Sequence, residues 1–302
     1  MRVTAVIPTK NRPVDLVEAV RTILNQVAPP NELVVVDQSE SGDGQQRVID
    51  LFNTMKTDVR LNYILDASIK GLVAARAAAV EVAQGDVVMF FEDDVLLEPD
   101  FIQKMMMAFA ADPQMMGGTG IISNYAPSRS YRFFHRFFHR GIFHDPRLDW
   151  HGRPRTAPDS GSIRSEPLIQ SSFLNGGLSA YKREVFDRVK FDRVNGFHMV
   201  EDIEFSVRAA EEFGANRFFI VPDARLLHNS APAGRDGLKA KYLRKTREYI
   251  FFFKKRRRSP AAIANIIWLL FGMALESSIG VFRYKSFAPL SGMIRGTFVG
   301  LQ

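Results

Sequence analysis

Three consecutive carboxylates, Glu92, Asp93 and Asp94, follow the apolar run Val87 to Phe91 in VVMFFEDDV. Acids held a few ångströms apart at the end of a buried segment repel one another, and a cation between them removes that cost. A divalent ion there would also bridge two phosphates and stabilise a diphosphate leaving group. The competing reading is a solvated turn whose acids suit the N-terminus of a helix starting near Glu98 or Pro99. A second acidic pair, Glu201 and Asp202, heads EDIEFSVRAAEEFG, where first-turn acids are ordinary partners of a helix dipole. His135 and His139 stand four apart, a spacing that can hold metal on one helix face, but Arg136 and Arg140 alternate with them and disfavour a cation. The chain has no cysteine, so any metal rests on oxygen and histidine ligands.

The elements that must position these residues follow a β-α-β-α rhythm. Val3 to Ile7, Leu33 to Val36, Leu61 to Ile64 and Val87 to Phe91 read as buried strands, and Pro13 to Gln26, Gly44 to Met55 and Gly71 to Ala83 have helical spacing. That order implies an α/β fold with a mainly parallel sheet covered by helices on both faces, with ligands beyond the carboxyl ends of the strands. The residues at that rim are Pro8, Thr9, Asn11 and Arg12 after the first strand, Asp37 and Ser39 after the second, and the acidic cluster after the fourth. No GxGxxG follows the first strand and no GxxxxGK[ST] occurs, which removes the main support for dinucleotide oxidoreductases and P-loop enzymes. An acidic rim needs a metal to hold phosphate. Further on, a turn at Asn175, Gly176 and Gly177 precedes a helix beginning near Lys182. A helix from about Val200 to Phe213 ends at Gly214, and two short strands, Arg217 to Ile220 and Ala224 to Leu227, deliver His228.

The net charge of +7 is unevenly placed. Lys239 to Arg258 carries ten Lys/Arg against one Glu, and Arg129 to Arg155 carries seven Arg against two Asp, so the remaining body is mildly acidic. The segment 129–167 reads as a mobile loop or short-helix insert, either a lid over an acceptor site, a surface for anionic lipid, or plain solvated chain. In the tail, KKRRR at Lys254 to Arg258 precedes the uncharged run Ser259 to Leu275. Seventeen residues is the low end of a bilayer span, and Asn265 and Glu276 weaken a spanning reading. Peripheral attachment to an anionic cytoplasmic leaflet is expected, with a helix pair packed on the catalytic domain or on a second subunit as the alternative. The N-terminus lacks an apolar stretch of signal-peptide length, so export through a cleaved signal is not expected.

Five segments in order, VTAVIPTKNRPVDLVEAVRTILNQVAPPNELVVVDQSESGD, GLVAARAAAVEVAQGDVVMFFEDDV, NGGLSAYKREVF, VEDIEFSVR and ARLLHNS, resemble the inverting glycosyltransferases of family 2, which have the GT-A fold. The resemblance runs from about Val3 to about Ser230. It implies that Thr9, Asp37 and Arg76 contact the nucleotide base and ribose, that Asp93 and Asp94 end the family's DxD motif with Asp94 on the metal and Asp93 toward the ribose, and that His228 completes the metal site. It implies Asp202 as general base, with Glu201 as the fallback one position away. Glu92 stands where the family often has Asp, and Ala77 where it usually has Asn.

The expected fold is therefore a GT-A sheet over 1–237, with a nucleotide-binding half at 1–122 and an acceptor-binding half at 123–237, followed by a helical extension at 238–302. The expected donor residues are Pro8, Thr9, Asn11, Arg12, Asp37, Ser39, Arg76, Glu92 and Asp93. Asp94 and His228 are expected to hold Mn2+ or Mg2+, and Asn175, Gly176 and Gly177 to meet the acceptor. The expected partners are a UDP, GDP or TDP sugar, a glycan or lipid-linked acceptor and an anionic membrane surface, at a cytoplasmic location; nucleic acid is not expected, and a homo-oligomer could form through the extension. Two other readings stand beside this one. A sugar-phosphate nucleotidyltransferase would need a basic glycine-rich loop after the first strand, where PTKNRP offers only Lys10 and Arg12. A non-enzymatic membrane or nucleic-acid binder would rest on the basic tail alone.

Overall fold

A computed structural model describes residues 1–144, 168–194, 201–229, 237–256 and 259–302. The first four strands are β1 (Val3–Thr9), β2 (Glu32–Asp37), β3 (Arg60–Leu65) and β4 (Val87–Phe91), and they lie parallel in the order β3-β2-β1-β4. The helices between them are α1 (Pro13–Leu24), α2 (Asp43–Met55) and α3 (Leu72–Val82). Pro13 opens α1, where its missing N–H costs nothing and its fixed φ suits the first turn. Every residue of β1, β2 and β4 is buried. That explains the uninterrupted apolar runs: a strand covered on both faces has no polar side to alternate with.

The chain then continues through β5 (Val95–Leu97), α4 (Phe101–Ala111), β6 (Gly117–Ile122), α5 (Arg129–Phe138), β7 (Ile169–Gln170), β8 (Leu178–Lys182), α6 (Glu184–Arg188), α7 (Glu201–Phe213) and β9 (Phe218–His228). β8 runs antiparallel to β4 and extends the sheet, whose full order is β3-β2-β1-β4-β8-β6-β9-β5, with β7 on β9. The sheet is thus parallel in its first half and mixed in its second. Successive strand residues point to opposite faces. Ala5, Ile7, Leu33, Val35, Met89 and Phe91 pack with α1, α2 and α4, whereas Val6, Val34, Val36, Val88 and Phe90 pack with α3, α6 and the Phe205, Ala209 and Ala210 face of α7.

On the second face Phe90 meets Tyr181, Phe186 and Phe191 edge-on at centroid distances of 6.3, 5.9 and 5.8 Å. Phe191 stacks on Phe205 at 4.2 Å. Truncating a buried Phe costs about 3–5 kcal/mol through lost transfer energy and a residual cavity. Phe90→Ala is therefore expected to lower the urea midpoint by that equivalent, and an unchanged midpoint would show that the ring is not packed as described.

Three sequence expectations change here. Leu61 to Ile64, expected as a buried strand, lies in β3, which is the edge of the sheet, and none of its residues is fully buried. Arg217 to Ile220 and Ala224 to Leu227 are not separate strands; both lie in β9, which stays in one piece through Pro222. Its pairing with β6 moves from Thr119–Ile220 to Ile121–Arg225, so the longer side bulges while the strand continues. The helix expected near Lys182 begins at Glu184, because Lys182 still belongs to β8. The insert contains a helix, α5, over its first part; 145–167 lie outside the described residues, as do Val200, Ser230, Arg257 and Arg258.

The chain groups into two compact units, one of 1–125, 155–196 and 205–231, the other of 126–154, 197–204 and 232–302. The second holds α5 with α8 (Leu238–Lys254), α9 (Pro260–Tyr284) and α10 (Ala288–Leu301). Gly292 and Gly296 let α10 lie directly on the α8 backbone, since a Cβ at either would sit 2.3 Å from Lys239 O or 2.4 Å from Leu243 O. α5 docks on α9 through Phe138 against Gly272, and the Trp268 indole N–H donates to Phe137 O at 2.6 Å. The apolar run of the tail and Glu276 share α9, where Glu276 pairs with Lys245 at 2.8 Å.

Candidate active site

β1 ends at Thr9, β2 at Asp37, and these two residues are partners in the sheet register. β4, on the other side of β1, ends at Phe91 and delivers Glu92, Asp93 and Asp94 to the same rim. Just past β1 the chain turns at Asn11, whose φ of 56° is left-handed and whose residue type tolerates that region. The Asn11 N–H donates to Ser39 Oγ at 2.7 Å, and the Ser39 N–H donates to Asp37 Oδ1 at 2.9 Å. Tyr63 O–H donates to the other Asp37 oxygen at 2.6 Å, so both carboxylate oxygens are held. Burial and the Asp37 hydrogen bond push the Tyr63 phenol up, which keeps it a donor.

Asp93 is fixed from the β1 side. Thr9 Oγ1 donates to Asp93 Oδ2 at 2.7 Å and the Arg12 guanidinium donates to Asp93 Oδ1 at 3.0 Å, while the same nitrogen stands 3.4 Å from Asp94 Oδ2. Burial pushes the Asp93 carboxyl up, and the bonds from Thr9 and Arg12 work against that shift. Asp94 turns the other way, toward His228. Asn124 clamps the His228 backbone, accepting its N–H at 3.0 Å and donating to its carbonyl at 3.1 Å, and Asn229 N–H donates to Asp94 O at 2.8 Å. His228 Nε2 consequently lies 3.1 Å from both Asp94 Oδ1 and Glu92 Oε2.

Glu92, Asp94 and His228 thus offer one ligand atom each, all within 4.8 Å of one another. Two carboxylate oxygens and an imidazole nitrogen form a donor set suited to Mn2+ or Mg2+. Hydrogen bonds to Asp94 and Glu92 push the His228 imidazole up to about 10, so Nε2 must release its proton before it can act as a metal ligand. Gly177 supplies the room: a Cβ there would lie 2.8 Å from the Glu92 carboxyl carbon. If this triad holds Mn2+, Gly177→Ala is expected to displace Glu92 and weaken that binding by roughly tenfold, the lower end of what disturbing a ligand's support costs. Calorimetric titration with Mn2+ checks this, and an unchanged affinity would remove Glu92 from the ligand set.

The sequence-derived residues are distributed as follows. Thr9, Arg12, Glu92, Asp93, Asp94 and His228 form one bonded group, and Asn11, Asp37 and Ser39 a second group beside it. Glu92, grouped by the sequence with the donor residues, converges with Asp94 and His228. Pro8 is buried within β1 opposite Val36. Arg76 is buried on α3 with its guanidinium 5.9 Å from the Phe90 ring centroid. Asn175 accepts the Gly177 N–H on its side chain at 3.0 Å and donates its own N–H to Thr119 Oγ1 at 3.3 Å, so it shapes the turn before β8, with Gly176 buried within that turn. Glu201 and Asp202 occupy the first turn of α7, half-buried, and Asp202 Oδ1 accepts the Ile203 N–H at 2.8 Å. In the same turn the buried Glu204 pairs with Lys255 at 2.9 Å, which ties this helix start to the end of α8. Tyr63 and Asn124 escaped sequence reasoning, since an isolated Tyr in a strand and an Asn in a loop carry no spacing signal.

Residues 4–190, more than half of the chain, match the profile of glycosyl transferase family 2. The chain belongs to that family. This family 2 glycosyltransferase is 28% identical over 187 residues to the hyaluronan synthase of Streptococcus pyogenes, covering 61% of this chain and 41% of the synthase. It therefore spans less than half the length of that relative. It is 25% identical over 257 residues to the uncharacterized glycosyltransferase YwdF of Bacillus subtilis, covering 83% and 82% of the two chains. Its fold is GT-A. The mannosyltransferase PcManGT of Pyrobaculum calidifontis, solved with GDP-Man and Mn2+, matches with a TM-score of 0.60 at 17% identity, over 99% of this chain and 86% of that one. S. aureus TarS 1–349, solved with UDP-GlcNAc, matches at 0.59 and 14% identity, over 98% and 79%.

Proposed function

We propose that this glycosyltransferase moves a sugar from a nucleoside-diphosphate donor to an acceptor hydroxyl by single displacement with inversion. The observation that carries the reading is the convergence of Glu92, Asp94 and His228 at the carboxyl ends of the parallel strands, in a family 2 domain. Two structural neighbours bind GDP-Man with Mn2+ and UDP-GlcNAc, which supports a nucleotide-sugar donor here. Asp37, fixed by Ser39 and Tyr63, and Thr9 and Asp93 bind the nucleoside, with Arg76 behind them. A divalent cation held by Asp94, His228 and Glu92 would supply charge stabilisation to the departing diphosphate.

Asp202 is the general base in this reading. It takes the proton of the acceptor hydroxyl as that oxygen attacks the anomeric carbon from the face opposite the diphosphate. One C–O bond forms while the bond to the diphosphate oxygen breaks, so the configuration at that carbon inverts. Asn175, Gly176 and Gly177 lie on the acceptor side. A nucleotidyltransferase finds less support, since the rim holds carboxylates bound to Thr9 and Arg12 in place of a glycine-rich phosphate loop.

The test is the anomeric configuration of the first product, read by proton NMR from an α-linked donor. A β product is expected; an α product would exclude single displacement.

We place the enzyme on an anionic membrane surface at the cytoplasmic side. α9 is long and apolar enough to cross a bilayer, yet it carries Glu276 and Arg283, and Ile267, Trp268, Phe271, Ile279 and Phe282 are exposed along it. That combination fits a helix lying in the interface better than a span.

A further inference from the structure

Within the helical unit, a cavity of about 210 Å3 opens between α5, α8 and α9. Its polar wall holds Lys241, Lys245 and Arg283 with the hydroxyls of Ser128, Tyr131 and Tyr242, and its apolar wall holds Phe134 and Ile279. Glu276 neutralises Lys245 at 2.8 Å. Among the described residues no carboxylate pairs with Lys241 or Arg283, so two exposed cations, Arg283 lying 5.6 Å from the Tyr284 ring centroid, stand at the cavity without an anionic partner. Burial, and then the nearby Glu276, push the Tyr242 phenol up to about 12, which leaves it a hydrogen-bond donor. Cations and hydroxyl donors facing one small space are the complement of a phosphate. The volume lies below the roughly 300–1,000 Å3 of sites that enclose a drug-sized ligand, so it takes a head group and not a whole nucleotide sugar.

The apolar wall decides the kind of phosphate. Ile279 is 51% exposed at the cavity, and Phe282, one turn further along α9, is 84% exposed. A free phosphate has no use for this flank, whereas an amphiphile can lay its chain along it while its head group meets Lys241 and Arg283. We propose that this cavity binds the phosphate head group of an anionic amphiphile, at a site distinct from the carboxylate triad. The assignment rests on the interfacial reading of α9 and is independent of the donor site and of the base.

The test uses the full chain and needs no sugar donor. Co-sedimentation is measured at physiological salt with vesicles of phosphatidylcholine alone and with one-fifth phosphatidic acid, for the wild type, for K241Q/R283Q, and for K239Q/K285Q, which removes the same charge from exposed positions outside the cavity. Soluble glycerol phosphate is titrated in parallel. The expected result is tighter binding to the acidic vesicles, weakened about tenfold or more in K241Q/R283Q by loss of two charge-assisted contacts, and changed no more than about twofold to threefold in K239Q/K285Q. Equal losses in the two variants would reduce the effect to general surface charge and overturn the site. Glycerol phosphate binding as tightly as the vesicles would overturn the amphiphile assignment. Equal binding to neutral and acidic vesicles would overturn the head-group site while leaving the interfacial reading of α9 standing, and no binding to either would overturn both. Circular dichroism of each variant confirms that its helices are retained; should K241Q/R283Q lose them, Lys241→Gln alone, at an exposed position, is expected to show at least a threefold loss, and no loss would overturn the site.

Discussion

Asp202→Asn is expected to lower kcat by about 10^2–10^4-fold, the range that a positioned general base contributes, with nucleotide binding in the presence of Mn2+ unchanged. The substitution is a clean probe because Asp202 Oδ1 accepts the Ile203 N–H at 2.8 Å, and an Asn side-chain oxygen can accept the same bond. The first turn of α7 also keeps its tie through Glu204 and Lys255. On the proposed reading, the substitution removes the capacity to take a proton. Glu201→Gln, one residue earlier, is the comparison: a smaller loss there supports Asp202 as the base, and a reversed order would transfer the role to Glu201. Turnover and donor affinity measured separately divide the outcomes, since a misfolded helix start would weaken both.

The second large effect is expected at Asp94→Asn. Asp94 is buried, its Oδ1 lies 3.1 Å from His228, and its Oδ2 lies 3.4 Å from Arg12. The substitution removes one of the two carboxylate charges of the triad, while its amide oxygen can still accept from His228. Charge stabilisation of the leaving group by a cation amounts to several kcal/mol, so kcat/KM is expected to fall on the order of 10^3-fold. The companion observation is that added Mn2+ no longer tightens nucleotide binding. Asp93→Asn should behave differently, because Asp93 is bonded to Thr9 and Arg12 and takes no part in the triad. Its loss is expected to raise the KM for the donor more than it lowers kcat, and equal behaviour of the two variants would contradict their separate roles.

The parallel half of the sheet was legible because burial on both faces forces near-continuous apolar runs, as in Val3 to Ile7 and Val87 to Phe91. β6 was not, since GGTGII has poor strand propensity. Its glycines answer to tertiary crowding: a Cβ at Gly117 would sit 2.8 Å from the Phe218 ring, and one at Gly120 would sit 2.5 Å from Ala224 O. β9 read as two strands because Pro222 and Asp223 interrupt its apolar pattern, while the bulge against β6 that absorbs them depends on a partner distant in sequence. The segment of α5 read as loop or short helix because alternating Arg, His and Phe gave no obvious core face. Its buried Phe138 meets Gly272 of α9, some 130 residues later.

At the site, the acidic cluster and His228 were visible as residue types, and the family resemblance separated Asp94 from Asp93, but not the side chains that hold each one in place. Asp93 and Asp94 are adjacent, and the β1 hydroxyl and guanidinium capture one while Asn124 and β9 bring His228 to the other. The place of Glu92 in the triad depends on the absent side chain of Gly177, which the sequence suggested for the acceptor side. Tyr63 meets Asp37 only because β3 lies beside β2 in register.

The most direct test is a thermal-shift panel of UDP, GDP and TDP, each with Mn2+ and with chelator, on the wild type. One nucleotide is expected to stabilise the protein by about 2.7 kcal/mol at a hundredfold excess over Kd, and only when Mn2+ is present. Stabilisation that persists in chelator, or its absence with all three nucleotides, would contradict a metal-assisted nucleotide-sugar site at Glu92, Asp94 and His228.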